Sequence, residues 1–384
     1  MSDPHAPGGA IAAGALKLPL LLARACAWAL LMAGWIGIGA LALQLAPSTA
    51  AAFALVALWL LALGAMATVP RPAAMSPRWR GAALAVAAAV TAAAIWRTPR
   101  GGGMPLLIIA LLGWATLTGL ASGVVRALRL RQPATPRPPV ASAALGALAA
   151  ASGLGDPVDL MALSLRLALL AAVVSALLLV LQWQAVPARA GPGCRAGLFD
   201  CSLPAWPAGA WHDANQWPTL LAGLAMLPMM AELPLMAAWC RSAGVSAQAT
   251  LLVHLAAMFG PVWLCNAWLA RWPMRRLSLI CTALLVAGSV FVLWAPPPWD
   301  WLGLAAAQGT AWGLAWGGLL WAPARRGSAG SSPLRAAAGY AALTLAFGLL
   351  LEASGARGAA AAHAALGAAA LAAWIPRPTA APVS

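Results

Sequence analysis

Residues 141–155 read ASAALGALAAASGLG, and the fold turns on whether this stretch crosses a membrane. It is short, built of small residues and weakly hydrophobic. The runs around it are plainer. About twenty apolar residues span a bilayer, and such runs lie near 18–45, 49–69, 81–96, 104–127, 158–184, 217–240, 247–269, 277–295, 301–322, 334–353 and 358–375. Counting the segment 140–155 gives twelve spans. Leaving it out gives eleven and moves every later loop to the other side.

Basic residues decide the count. There are 23 Lys and Arg. With twelve spans and the N-terminus inside, Arg97, Arg100, Arg241 and Arg357 fall outside and Arg166 lies within the sixth span; the other 18 share the inner side. Eleven spans would divide them 11 to 11. Short cytoplasmic loops concentrate Lys and Arg, so the pattern predicts twelve spans with both termini cytoplasmic. Asp156, Asp159 and Asp300 then fall outside.

Composition agrees. The chain has 384 residues, 63% hydrophobic and only 8% charged, with a mean hydropathy of +0.85. A soluble chain carries roughly a quarter charged residues. The expectation is an all-α integral membrane protein whose partner is the lipid bilayer. The net charge of +15 then sets orientation and does not indicate nucleic acid. Almost every basic residue is Arg, and Ala is abundant, a bias typical of GC-rich bacterial genomes. The N-terminal MSDPHAPGGAIAAGALKL reads as a short cytoplasmic tail and not as a signal peptide. No paired acid–base set, nucleophile elbow, phosphate loop or heme-binding Cys-x-x-Cys-His occurs, so no enzyme is expected.

The longest polar gap, 186–216, divides the spans six and six: an N-terminal half 1–185, a central cytoplasmic loop 186–216 and a C-terminal half 217–384. Two six-helix halves joined this way resemble the major facilitator architecture, in which the halves rock about a midplane site. The gap after the second span, PRPAAMSPRWR, is echoed by ARWPMRR after the eighth. Neither carries the Gly and Asp of the superfamily's usual loop signature.

Candidate chemistry lies in the seventh and eighth spans. WPTLLAGLAMLPMMAELPLMAAWC (217–240) holds Met226 and Met230; AQATLLVHLAAMFGPVWLCNAWL (247–269) holds His254 and Met258. Each pair is one helical turn apart and shares a helix face. Antiparallel spans would bring all four near mid-membrane. Thioethers and imidazole suit Cu(I). Pro228 and Pro234, and Gly260–Pro261, break the two helices beside these pairs, as at many transporter sites. Met pairs also serve as packing, and a buried His can be a hydrogen-bonded structural group, so those readings stand beside the metal one. A small organic solute or drug would then be the cargo.

Met-x-x-x-Met in the seventh span followed by His-x-x-x-Met in the eighth resembles the CcoA-type copper importers of the major facilitator superfamily. That resemblance implies copper, in the form Cu(I), bound by Met226, Met230, His254 and Met258. It implies a monomer of the bacterial inner membrane that imports copper for heme–copper oxidase assembly, with delivery to a cytoplasmic copper chaperone. Copper would be cargo, and no cofactor would be permanently bound.

Other residues have accessory readings. Glu232 is the one carboxylate well inside a span and could balance the ion's charge, carry a coupling proton, or be a structural group. Cys265 continues the His254–Met258 face as an exit thiol, and Cys194 and Cys201 in the central loop could accept Cu(I) after release. Cys26 and Cys240 read as small hydrophobes. His212 and Asp213 read as a helix cap, and Glu352 as an anchor at the outer interface. Trp312 and Trp316, one turn apart, either line a cavity or pack.

Overall fold

A computed structural model gives the fold and describes residues 17–68, 77–101, 103–129, 140–155, 159–184, 246–269, 272, 274–321 and 333–372. Among these residues every regular element is helical. The first helix, α1, is Lys17–Ala33 and continues through a π-helical turn, Gly34–Ile38, into Gly39–Leu45. Then come α2 Thr49–Thr68, α3 Pro77–Arg97, α4 Gly103–Arg129, α5 Val140–Leu154 and α6 Leu160–Gln184. Further along lie α7 Ala247–Leu269, α8 Met274–Trp294, α9 Trp299–Trp321 and α10 Pro333–Ala372. The last is two helices end to end. Gly355 between them has φ 67° and ψ −178°, a conformation essentially restricted to glycine, and it separates the eleventh span from the twelfth. The seventh span (217–240) and the central loop (186–216) lie outside the described residues.

Helices are what such a sequence must form. In hydrocarbon each backbone N–H and C=O has to be satisfied within its own segment. Seven of the described helices hold a stretch of 18 residues or more apolar enough to cross a membrane, and Val140–Leu154 and Leu279–Trp294 are shorter apolar helices. Segment 140–155 is therefore helical over Val140–Leu154, as a span requires, though at 15 residues it is shorter than the seven. Its small side chains have a packing reason. Ala143, Ala147, Ala150 and Ala151 are fully buried, and Gly146 lies on the Ala25 carbonyl and the Trp28 side chain of α1, where a Cβ would collide. Small residues let membrane helices approach closely.

Local signals set the helix ends. Asp159 Oδ1 accepts from the backbone N–H of Met161 and Ala162, both at 3.0 Å, starting α6. Ser246 Oγ accepts from Ala249 N–H at 3.0 Å and starts α7. Both side chains take amides that a helix start leaves without partners. At the other end of α5, Arg166 Nη1 donates to the Leu154 carbonyl at 2.9 Å, where a cation complements the helix dipole.

Packing repeats with a shift of six spans. In the first half α3 packs on α4 and α6, and α2 on α4. Six spans later α8 packs on α9 and α10, and α7 on α9; the α8 contact reaches the second limb of α10, where Gly367 meets Val286. Two seams join the halves, α2 with α10 and α5 with α7. They are counterparts under the same shift: span two with eleven, span eight with five.

Candidate functional site

His254 is buried in α7, 1% exposed. Its Nδ1 is 3.1 Å from the backbone carbonyl oxygen of Ala305 in α9. A carbonyl only accepts, so Nδ1 carries the proton and Nε2 presents a lone pair. Nε2 is buried and has no hydrogen-bond partner among the described residues. Metal-binding histidines hold the ring in this way, giving one N–H to a carbonyl and keeping the other nitrogen as ligand. A nitrogen with a lone pair equally accepts a hydrogen bond from a solute.

Met258, one turn along α7, is also buried. Both residues sit where α7 and α9 touch. Gly309 rests on the backbone of His254 and Gly313 on that of Met258; at either position a Cβ would enter the van der Waals shell of the facing carbonyl oxygen. The Gly-x-x-x-Gly spacing puts both glycines on one face and lets the two backbones approach closely. The His254–Met258 turn is thereby held by α9.

Across the seam stands Trp28 of α1, 1% exposed. Its ring centroid is 6.1 Å from that of Phe259 in α7, at 81°, and 6.4 Å from that of Trp312 in α9, at 89°. Both are edge-to-face contacts, favoured by the aromatic quadrupole. Behind Trp28 the first half is rich in indoles. Trp35 and Trp59 meet edge to face at 5.6 Å, and Trp114 Nε1 donates to the Leu30 carbonyl at 2.6 Å. The π-helical turn is what fits between them: a Cβ on Gly34 would fall 2.6 Å from Trp114 Nε1 and 2.9 Å from the Trp59 ring.

Of the residues singled out from sequence, the structure brings His254 and Met258 together and places Trp312 on the seam; the side chain of Trp316 lies outside the described set. Cys265 is half-buried on α7, and Cys26 and Cys281 are buried. His363 is buried in the second limb of α10. Met226, Met230, Glu232, Cys194, Cys201, Cys240, His212 and Asp213 lie outside the described residues. Among those described, no group of three or more His, Cys, Asp or Glu could hold a metal ion. The residues that sequence reasoning missed are Trp28, Phe259 and Ala305. Trp28 had a signal: it lies well inside its span, away from the interfacial belts where Trp concentrates. The carbonyl of Ala305 had none.

No protein-family model matches the chain, and no curated protein does. Solved structures do. A nucleoside transporter, NupG, is 13% identical with a TM-score of 0.61, over 94% of this chain and 100% of its own. A point mutant of the same transporter gives a TM-score of 0.58 over 94% and 99%, again at 13% identity. A POT family transporter in complex with a thioalcohol-conjugated peptide is 14% identical with a TM-score of 0.52, over 92% and 94%. At these identities the likeness carries the fold alone: this chain has the all-α, multi-pass membrane fold of those structures.

Proposed function

We propose that this chain moves a small organic solute across the membrane by alternating access, with the solute passing between the two halves beside Trp28, Phe259, Trp312 and His254. The observation that carries this reading is the contact of Trp28 with Phe259 and Trp312 across the seam. Three buried aromatic rings from both halves meet at one point. When the halves rock apart, their apolar faces become available to a solute, and the His254 Nε2 lone pair lies on the α7 helix that carries Phe259. Flat, partly apolar molecules with a hydrogen-bond donor suit such a surface. The NupG and POT likenesses support cargo of this size class.

The test is uptake by purified protein in sealed vesicles, with uridine and a neutral dipeptide as first probes. Saturable uptake that Trp28→Ala reduces at least about tenfold, the loss of one buried aromatic contact, supports the reading. Uptake of neither probe nor of other ring-bearing solutes, with copper accumulating instead, overturns it.

Copper import is the second reading, and one observation favours it: the His254 ring is oriented as a metal ligand's would be, with buried Met258 one turn away. The full ligand set would need Met226 and Met230, with Glu232, Cys265, Cys194 and Cys201 as accessory groups. In this reading the protein sits in the bacterial inner membrane and carries Cu(I) inward. Cu(I) uptake by the same vesicles, lost in His254→Ala and in Met258→Leu, is its test.

A further inference from the structure

We infer that Glu352 and the first turn of α2 form a latch that holds the arginine-poor face of the seam shut. Glu352 ends the first limb of α10, and its Oε2 accepts from the backbone N–H of Ala50 at 2.6 Å, across 302 positions of sequence. Ala50 is the second residue of α2. A helix start leaves its first amides without partners and carries the positive end of the dipole. The local chain covers the two amides that follow: Ser48 Oγ takes Ala51 N–H at 3.2 Å and the Ser48 carbonyl takes Ala52 N–H at 3.1 Å. The Ala50 amide is left to a carboxylate from the other half.

Beneath this bond lies a small apolar plug of its own. Phe53 of α2 and Phe347 of α10 are buried with ring centroids 5.9 Å apart; Leu351 and Ala359 complete a cluster separate from the main core, and Leu43 packs on both. Gly348 admits Phe53 against its backbone, where a Cβ would collide. The plug seals and the carboxylate bolts. Glu352 itself is exposed, so the bolt can be drawn from the aqueous side, whereas the plug cannot part until it is. Gly355, three residues on, gives the chain its turn into the twelfth span.

This inference rests on the reading that the halves rock, but its test needs no solute. Leu43 is half-buried against the plug. The full chain, purified in detergent and carrying Leu43→Cys, is treated with a polar maleimide, and the rate at residue 43 is followed by mass spectrometry. Glu352→Ala should raise that rate at least about threefold, the effect of losing one charge-assisted hydrogen bond in a partly exposed setting. Glu352→Gln keeps an acceptor oxygen and should fall between. Ala50→Pro removes the amide hydrogen from the first helical turn, where proline is tolerated, and should match Glu352→Ala. Because both remove one bond, the double variant should gain nothing more. Arg357→Gln, a charge lost at the same end, should leave the rate alone. Unchanged rates in Glu352→Ala and Ala50→Pro with cooperative thermal unfolding retained, or effects that multiply in the double variant, would overturn the latch. Saturable uptake with an unchanged rate at residue 43 would remove the latch and spare the transport reading; a latch without uptake would do the reverse.

Discussion

The imidazole of His254 is held by the backbone of another helix, its Nδ1 lying 3.1 Å from the Ala305 carbonyl oxygen. The bond fixes the ring in one tautomer and decides which nitrogen is left for chemistry. It also separates two roles that a single substitution would confound. His254→Ala loses the bond and opens a void, so it should lower unfolding stability by roughly 2–4 kcal/mol. His254→Asn retains a donor near the carbonyl and should recover about 1 kcal/mol of that. If uptake also returns with Asn, the histidine supplies positioning; if stability returns without uptake, Nε2 touches the cargo. Thermal unfolding and vesicle uptake on the same preparations read the two apart.

The glycines under α7 make a stability prediction with a built-in control. Gly313→Ala drives a Cβ into the Met258 carbonyl, and overpacking of this kind should cost about 1–3 kcal/mol. Gly260→Ala, in the same α7 turn region, meets no atom within 4 Å and should be neutral or stabilising by up to about 1 kcal/mol through helix propensity. The melting temperature in detergent should fall for Gly313→Ala and hold or rise for Gly260→Ala. Equal losses at both positions would show that helix packing at Gly313 is not the cause.

Trp28 offers a prediction about the seam. Trp28→Phe keeps a ring for Phe259 and Trp312 and should preserve most uptake of an organic solute. Trp28→Ala removes it and should reduce uptake at least about tenfold while costing about 3–5 kcal/mol in stability. Parallel loss in both variants would mean that size alone matters at this position.

Met258 separates the two cargo readings. Met258→Leu conserves volume and should change stability by less than about 1.5 kcal/mol. Uptake of an organic solute should persist within about twofold, since no sulfur is required. Copper uptake, by contrast, should fall sharply, as a soft ligand is lost. Vesicle accumulation of both cargoes by the one variant gives the answer directly.

How much of this was legible in the sequence depended on the range of the interaction. The helix at Val140–Leu154 followed from arginine distribution because topology acts through whole loops; the caps at Asp159 and Ser246 act within three residues and were local enough to be read, but were not singled out. His254 was visible as a polar residue at depth, but its partner was not. Ala305 contributes only its carbonyl, which every residue possesses, and its place beside His254 depends on α7 and α9 packing in parallel. The Glu352–Ala50 bond was hidden for the same reason: an anchor at an interface and an unpaired amide become one feature only where α2 and α10 pack together. Two glycines four apart in α9 could have pointed to a close helix approach, though not to which helix.

That approach has a mechanical consequence. Because Gly309 and Gly313 bring α7 and α9 backbone to backbone, the two helices cannot roll independently, and His254, Met258, Phe259 and Trp312 travel as one plate. Trp28 rides on the opposite half. Any movement of Trp28 relative to this plate must then come from sliding or parting of the two faces, and not from rearrangement within the plate.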